Sequence, residues 1–156
     1  MTIIPDTNVL SELRLPTPDQ NVVAWFGEQA EEDLAIASFS VAEIEYGIAV
    51  APKSKPTLIA QLTAWRDAIL ATQRVFPLDG AAAQVLGRLY AVPALRNLAI
   101  TPPNARKPRF GENLAIAAIA TSQNAAVATR NMDDFQLIAR HCPGLSGVDP
   151  WTGRTF

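Results

Sequence analysis

Four short apolar runs, Thr2 to Ile4, Leu34 to Ser38, Val75 to Leu78 and Ala125 to Thr129, are separated by stretches with helical spacing. Short strands alternating with helices predict βα units on a largely parallel sheet, because parallel neighbours need a crossover connection. The first run stops at Asp6-Thr7-Asn8, so a buried strand is expected to project a carboxylate from its carboxyl end. In open α/β sheets that edge is the crevice where ligands are bound.

The helical stretches fill the gaps. One starts near Asp6 or Thr7, another covers about 22–30, and a third runs from Ser40 to Val50 and is stopped by Pro52. Leu58, Leu62, Trp65 and Ile69 recur at helical spacing in 56–71, and Asp79 fits an N-cap for Gly80 to Ala91. Leu114 to Ala120 is apolar on nearly every side, as expected of a helix buried against a sheet. Prolines punctuate the basic stretch between Pro93 and Gly111, which reads as a surface loop with a short helical turn. A last strand is expected near Val148, giving about five strands flanked by helices in one α/β domain spanning 1–156.

The net charge of -2 leaves no whole-molecule basic field, so a nucleic acid must be held by a local patch. The single cysteine, Cys142, excludes an internal disulfide and a multi-cysteine zinc site and suits a reducing compartment. With no secretory leader pattern and no apolar run of membrane-spanning length, the reading is a cytoplasmic protein without a membrane partner.

Polar groups gather at four places, each with a structural and a chemical reading. Asp6 with Asn8 is either a metal-ligand pair or a helix cap. Ser40-Val41-Ala42-Glu43 matches a capping box, so Glu43 is first explained as structural, and Glu45 falls on another, solvated face. Asn113 fits the N-cap of the buried helix, with Glu112 beside it at the favourable end of the helix dipole. Thr129-Arg130-Asn131-Met132-Asp133-Asp134 follows the fourth strand, and Asp134 fits the cap of a helix beginning at Phe135. Taken together, these groups converge on one sheet edge. Converging carboxylates repel, so a cluster implies a bound cation or a shared proton. Oxygen-only ligands suit Mg²⁺ or Mn²⁺, and the natural chemistry is phosphodiester hydrolysis. A phosphatase with Asp6 as nucleophile would want a second acid two residues on, where this chain has Asn8.

The combination resembles the PIN-domain ribonucleases, specifically VapC-type toxins of toxin–antitoxin pairs. It rests on Asp6 to Glu12, Ala42 to Ile48, Pro77-Leu78-Asp79, Asn113 to Ala118 and Thr129 to Phe135, in that order across nearly the whole chain. The resemblance implies a PIN-like sheet flanked by helices and an acidic pocket holding Mg²⁺ or Mn²⁺. It also implies RNA cleavage by metal-activated water, with tRNA one substrate class. By position, Asp6, Glu43 and Asn113 are the implied metal ligands, and together with Asn131 the catalytic set. Thr7, Asn8 and Thr129 support them, and Glu112 and Asp133 are further acids. The family places an aspartate where this chain has Asn113, which brings no charge. The alternative is therefore a weakened or inactive PIN module that acts by dimerising and by binding antitoxin or RNA. Arg106, Lys107, Arg109 and Arg130 are placed either to touch RNA phosphates or to balance nearby acids in a solvated loop. The implied partners are a cognate VapB-like antitoxin and a second copy of the chain. Trp25, Phe26 and Trp65 belong either to the core or to an antitoxin groove.

Overall fold

The computed structural model describes residues 1–101, 103 and 111–156. Its strands are β1 (Ile3–Pro5), β2 (Ile36–Ala37), β3 (Val75–Phe76), β4 (Ala126–Ala128) and β5 (Gly147–Val148). β1, β4 and β5 form one parallel sheet, with Ile4 opposite Val127 and Ala128 opposite Val148. β2 and β3 pair in parallel, and a parallel bridge from Ile3 to Leu34 joins them to β1. The resulting order is β3-β2-β1-β4-β5, so the chain reverses direction of travel at β1. That reversal opens a crevice at the carboxyl end of β1, where Asp6 stands.

The helices are α1 (Thr7–Leu13), α2 (Gln20–Gly27), α3 (Ser38–Ala49), α4 (Pro56–Thr72), α5 (Gly80–Tyr90), α6 (Arg96–Ala99), α7 (Glu112–Ser122) and α8 (Met132–Ala139). None of the helices among the described residues is long and apolar enough to cross a membrane. Every residue from Leu114 to Ala120 is buried, and α7 packs between α5 and the sheet. Its alanines let the helix sit close, while Leu114, Ile116 and Ile119 fill the core with Ile4, Val127 and Phe135. Truncating one of these large side chains costs about 2–5 kcal/mol.

Several boundaries differ from the sequence reading, for local reasons. α2 begins at Gln20 because Asp19 Oδ1 accepts from the Asn21 N–H at 2.8 Å, and Asp19 is itself held by Glu12. Ser38 opens α3 instead of closing a strand. Its Oγ accepts from the Leu78 N–H at 3.1 Å, so Leu78 lies beyond β3. The Ser40–Glu43 capping box does not form. α3 starts at Ser38, so Ser40 lies inside the helix, buried, with its Oγ unpartnered among the described residues. Asp79 caps α5 as expected, accepting from the Ala82 N–H at 2.9 Å.

The C-terminal segment closes the far edge of the sheet. Gly147 exchanges backbone hydrogen bonds with Phe156, whose ring lies 6.2 Å from that of Phe135. A Cβ at position 147 would overlap the Phe156 ring and the Val127 carbonyl, so only glycine fits.

Candidate active site

Asp6 follows β1 directly and is 3% exposed. Its backbone N–H donates to the Ala128 carbonyl at 2.8 Å, extending the β1–β4 ladder by one residue. The side chain therefore emerges on the sheet edge with a fixed orientation. Oδ1 accepts from the Thr7 N–H at 2.6 Å, which makes Asp6 the N-cap of α1. Oδ2 accepts from Thr129 Oγ1 at 2.7 Å and from Asn8 Nδ2 at 2.5 Å. The cap and the crevice carboxylate are the same group.

Glu43 reaches this point from the second turn of α3. Its Oε2 accepts from Thr7 Oγ1 at 2.5 Å, so Thr7 holds Asp6 with its backbone and Glu43 with its side chain. Burial pushes Asp6 up to about 6, against the hydrogen bonds from Thr129, Thr7 and Asn8, and Glu112 adds a smaller rise. Glu43 rises to about 7, again mainly through burial, with the charges of Asp6 and Glu112 adding to it. Two carboxyls that resist ionisation together are short of positive charge.

Gly111, not Asn113, stands at the N-cap of α7, in the left-handed conformation at φ 66°. The helix therefore begins at Glu112, and Glu112 is the residue of that turn whose charge reaches both Asp6 and Glu43. Asn113 lies inside the first turn and donates from Nδ2 to Asp134 Oδ2 at 2.9 Å. Asp134 consequently does not cap a helix at Phe135; α8 starts at Met132, with Asn131 at its N-cap position. The Asn131 N–H donates to Thr129 Oγ1 at 3.0 Å, joining α8 to the Asp6 network. Glu112, Asn113, Asn131 and Asp134, with Leu98, line a polar pocket of about 150 Å³.

The other sequence candidates fall further out. Asp133 is exposed in a neighbouring polar groove with Arg130, whose guanidinium lies 5.0 Å over the Trp151 ring. Arg106, Lys107 and Arg109 lie outside the described residues. Glu45 is on the solvent face of α3, as expected, and pairs there with Arg66 at 2.5 Å. Phe26 and Trp65 line an open apolar groove of about 370 Å³ with Leu10 and Ile69. Trp25 instead packs with Val9 and Val22. Sequence reasoning named Thr7 as a support for Asp6 but missed that its hydroxyl bridges to Glu43, and it missed the contribution of the C-terminal turn. The one available signal for the former was a hydroxyl residue next to the acid.

Among the described residues no three His, Cys, Asp or Glu side chains converge closely enough to hold a metal ion by themselves. The donor chemistry nevertheless fits a hard divalent cation. It is oxygen-only and built on a buried and a half-buried carboxylate, both under-compensated, with the charge of a third acid reaching both.

No family model matches the chain. It is 31% identical to the VapC ribonuclease Y4jK of Sinorhizobium fredii over 150 residues, covering 96% of this chain and 97% of that protein. It is 30% identical to the toxin FitB of Neisseria gonorrhoeae, covering 85% of this chain and 90% of the toxin. The crystal structure of FitAcB from Neisseria gonorrhoeae superposes with a TM-score of 0.72 at 25% identity, covering 97% of this chain and 99% of that one.

Proposed function

The chain belongs to the VapC-type toxins of the PIN-domain ribonuclease family, and on that footing we propose that it is a Mg²⁺- or Mn²⁺-dependent endoribonuclease. The observation that carries this reading is the pair Asp6 and Glu43, a buried and a half-buried carboxylate joined through Thr7 at the switch point of the sheet. Asp6 and Glu43 would hold the ion, with Glu112 adding charge and the amide oxygens of Asn113 and Asn131 offering neutral donors. When bound, the ion supplies a more acidic water and stabilises charge on the phosphate. The chain's own residues do the positioning. Thr129 and Asn8 fix the Asp6 carboxylate, and the Thr7 hydroxyl holds Glu43 at Oε2. In the metal-free protein burial holds Glu43 near 7, so it must give up its proton to hold the ion.

A second reading is favoured by one observation. Asn113 carries no charge, and its amide is given to Asp134. On that reading the chain is a PIN module that binds partners without cutting RNA. Incubating single-stranded RNA with the wild-type chain and with Asp6→Asn, in Mn²⁺ and in EDTA, separates the two. The enzyme reading expects cleavage by the wild type in Mn²⁺ alone; intact RNA in every lane favours the module.

For partners, the reading is a VapB-like antitoxin and a homodimer, with location in the cytoplasm. The groove lined by Leu10, Phe26 and Trp65 offers the apolar anchorage an antitoxin helix would use.

A further inference from the structure

Beside the acidic pocket lies a second polar groove, of about 430 Å³, at the carboxyl ends of β4 and β5. The two share Asn131 and Asp134 as a common wall. Arg130 and Arg154 line the groove, both exposed, and neither guanidinium is in an ion pair among the described residues.

Arg130 is held at its backbone and its guanidinium, and Arg154 at its backbone. The Arg130 N–H donates to Asn8 Oδ1 at 3.3 Å, and its guanidinium lies over the Trp151 ring. Trp151 is fixed by a tight turn organised by Asp149. Asp149 Oδ1 accepts from the Trp151 N–H at 2.9 Å, and Oδ2 accepts from Thr152 Oγ1 at 2.7 Å. Its backbone N–H donates to the Arg154 carbonyl at 2.8 Å, which returns Arg154 to the groove. Two of the three aspartates in the groove are already engaged: Asp149 is buried in this turn, and Asp134 accepts from Asn113. Asp133 remains exposed. The groove thus presents the Arg130 guanidinium, oriented on Trp151, together with Arg154, next to the pocket proposed to cut RNA.

We propose that Arg130 and Arg154 form a phosphate-binding subsite that carries the RNA strand away from the acidic pocket, with the C-terminal turn as its wall. The inference rests on the nuclease reading and adds to it a substrate-contact surface. Guanidinium forks suit phosphate oxygens bidentately, and an arginine already stacked on an aromatic ring loses little freedom on binding. Phosphate contacts carry no sequence information, so this subsite sets register and affinity, not the cleaved sequence.

The test is the salt dependence of binding. A fluorescein-labelled single-stranded oligouridylate is titrated in EDTA with the wild type, Arg130→Gln/Arg154→Gln and Arg74→Ala. Arg74 stands at the opposite sheet edge, where it bonds Thr2 and the Glu32 carbonyl. The double variant is expected to bind about 10-fold more weakly at low salt, and its log–log salt slope to fall by about 1.4, from about 0.7 per phosphate contact. Arg130→Lys/Arg154→Lys should recover most of the slope, and Arg74→Ala should match the wild type. An unchanged slope in the double variant, while the wild type binds RNA and cuts it in Mn²⁺, overturns the subsite alone. Failure of the wild type both to bind and to cut RNA overturns the nuclease reading and the subsite with it.

Discussion

The hydroxyl of Thr7 donates to Glu43 Oε2 at 2.5 Å across 36 residues of chain, while the Thr7 N–H donates to Asp6 Oδ1 at 2.6 Å. One residue at the start of α1 thereby holds both acids. Thr7→Val keeps the shape and leaves Glu43 without that donor. A hydrogen bond to a charged group contributes about 1.5–3 kcal/mol, so Mn²⁺-dependent RNA cleavage should fall about 10-fold or more. Thr7→Ser should restore most of it, measured as single-turnover rates.

The metal-free protein should lose stability as pH rises. Asp6 moves from an ordinary 3.8 to about 6, and Glu43 from 4.5 to about 7, so the folded state binds more protons than the unfolded chain between those values. Their contribution is complete below about pH 4 and is lost as pH climbs through 6 to 7. For Asp6 the loss is on the order of 3 kcal/mol. Thermal unfolding in EDTA at pH 5 and pH 8 should show the higher midpoint at pH 5 from these groups, and the Asp6→Asn variant should flatten the difference.

Gly111 starts α7 at φ 66° with the Tyr90 hydroxyl 3.2 Å from where a Cβ would sit. Gly111→Ala combines left-handed strain with that contact and should cost about 1–2 kcal/mol. Because Glu112 follows directly, cleavage should fall more than stability does. Denaturant midpoints and cleavage rates measured on the same preparation check this.

Asn113→Asp would place a carboxylate against Asp134, where the amide now donates at 2.9 Å. Metal-free stability should drop by about 1–2 kcal/mol, as a half-buried acceptor loses its donor and meets a like charge. Excess Mn²⁺ should recover the loss if the new carboxylate turns to the ion, read as the Tm in EDTA and in Mn²⁺.

Much of this was legible from residue order. The apolar run ending at Asp6 located the sheet edge, and the seamless apolar face of Leu114 to Ala120 identified the helix buried over it. Capping signals misled because they are short and degenerate. Ser38 and Ser40 both suit a helix start, and the choice was made by Leu78, which needs the Ser38 hydroxyl. Asn113 suits a cap equally well, but Gly111 alone tolerates the left-handed turn that enters α7. Glu112, in the first turn after that glycine, is the residue there whose charge reaches Asp6 and Glu43. The Arg130–Trp151 stack and the return of Arg154 depend on the Asp149 turn, whose hydrogen bonds leave no periodic trace in sequence.

The most direct measurement is Mn²⁺ binding by calorimetry at several pH values, in buffers of different ionisation enthalpy. The account predicts one site whose affinity climbs between pH 5.5 and 7.5, with proton release as Asp6 and Glu43 give up protons held near 6 and 7. Binding should vanish in Asp6→Asn and weaken by about 10-fold or more in Glu43→Gln. Wild-type affinity that is independent of pH, or unchanged in Asp6→Asn, would contradict it.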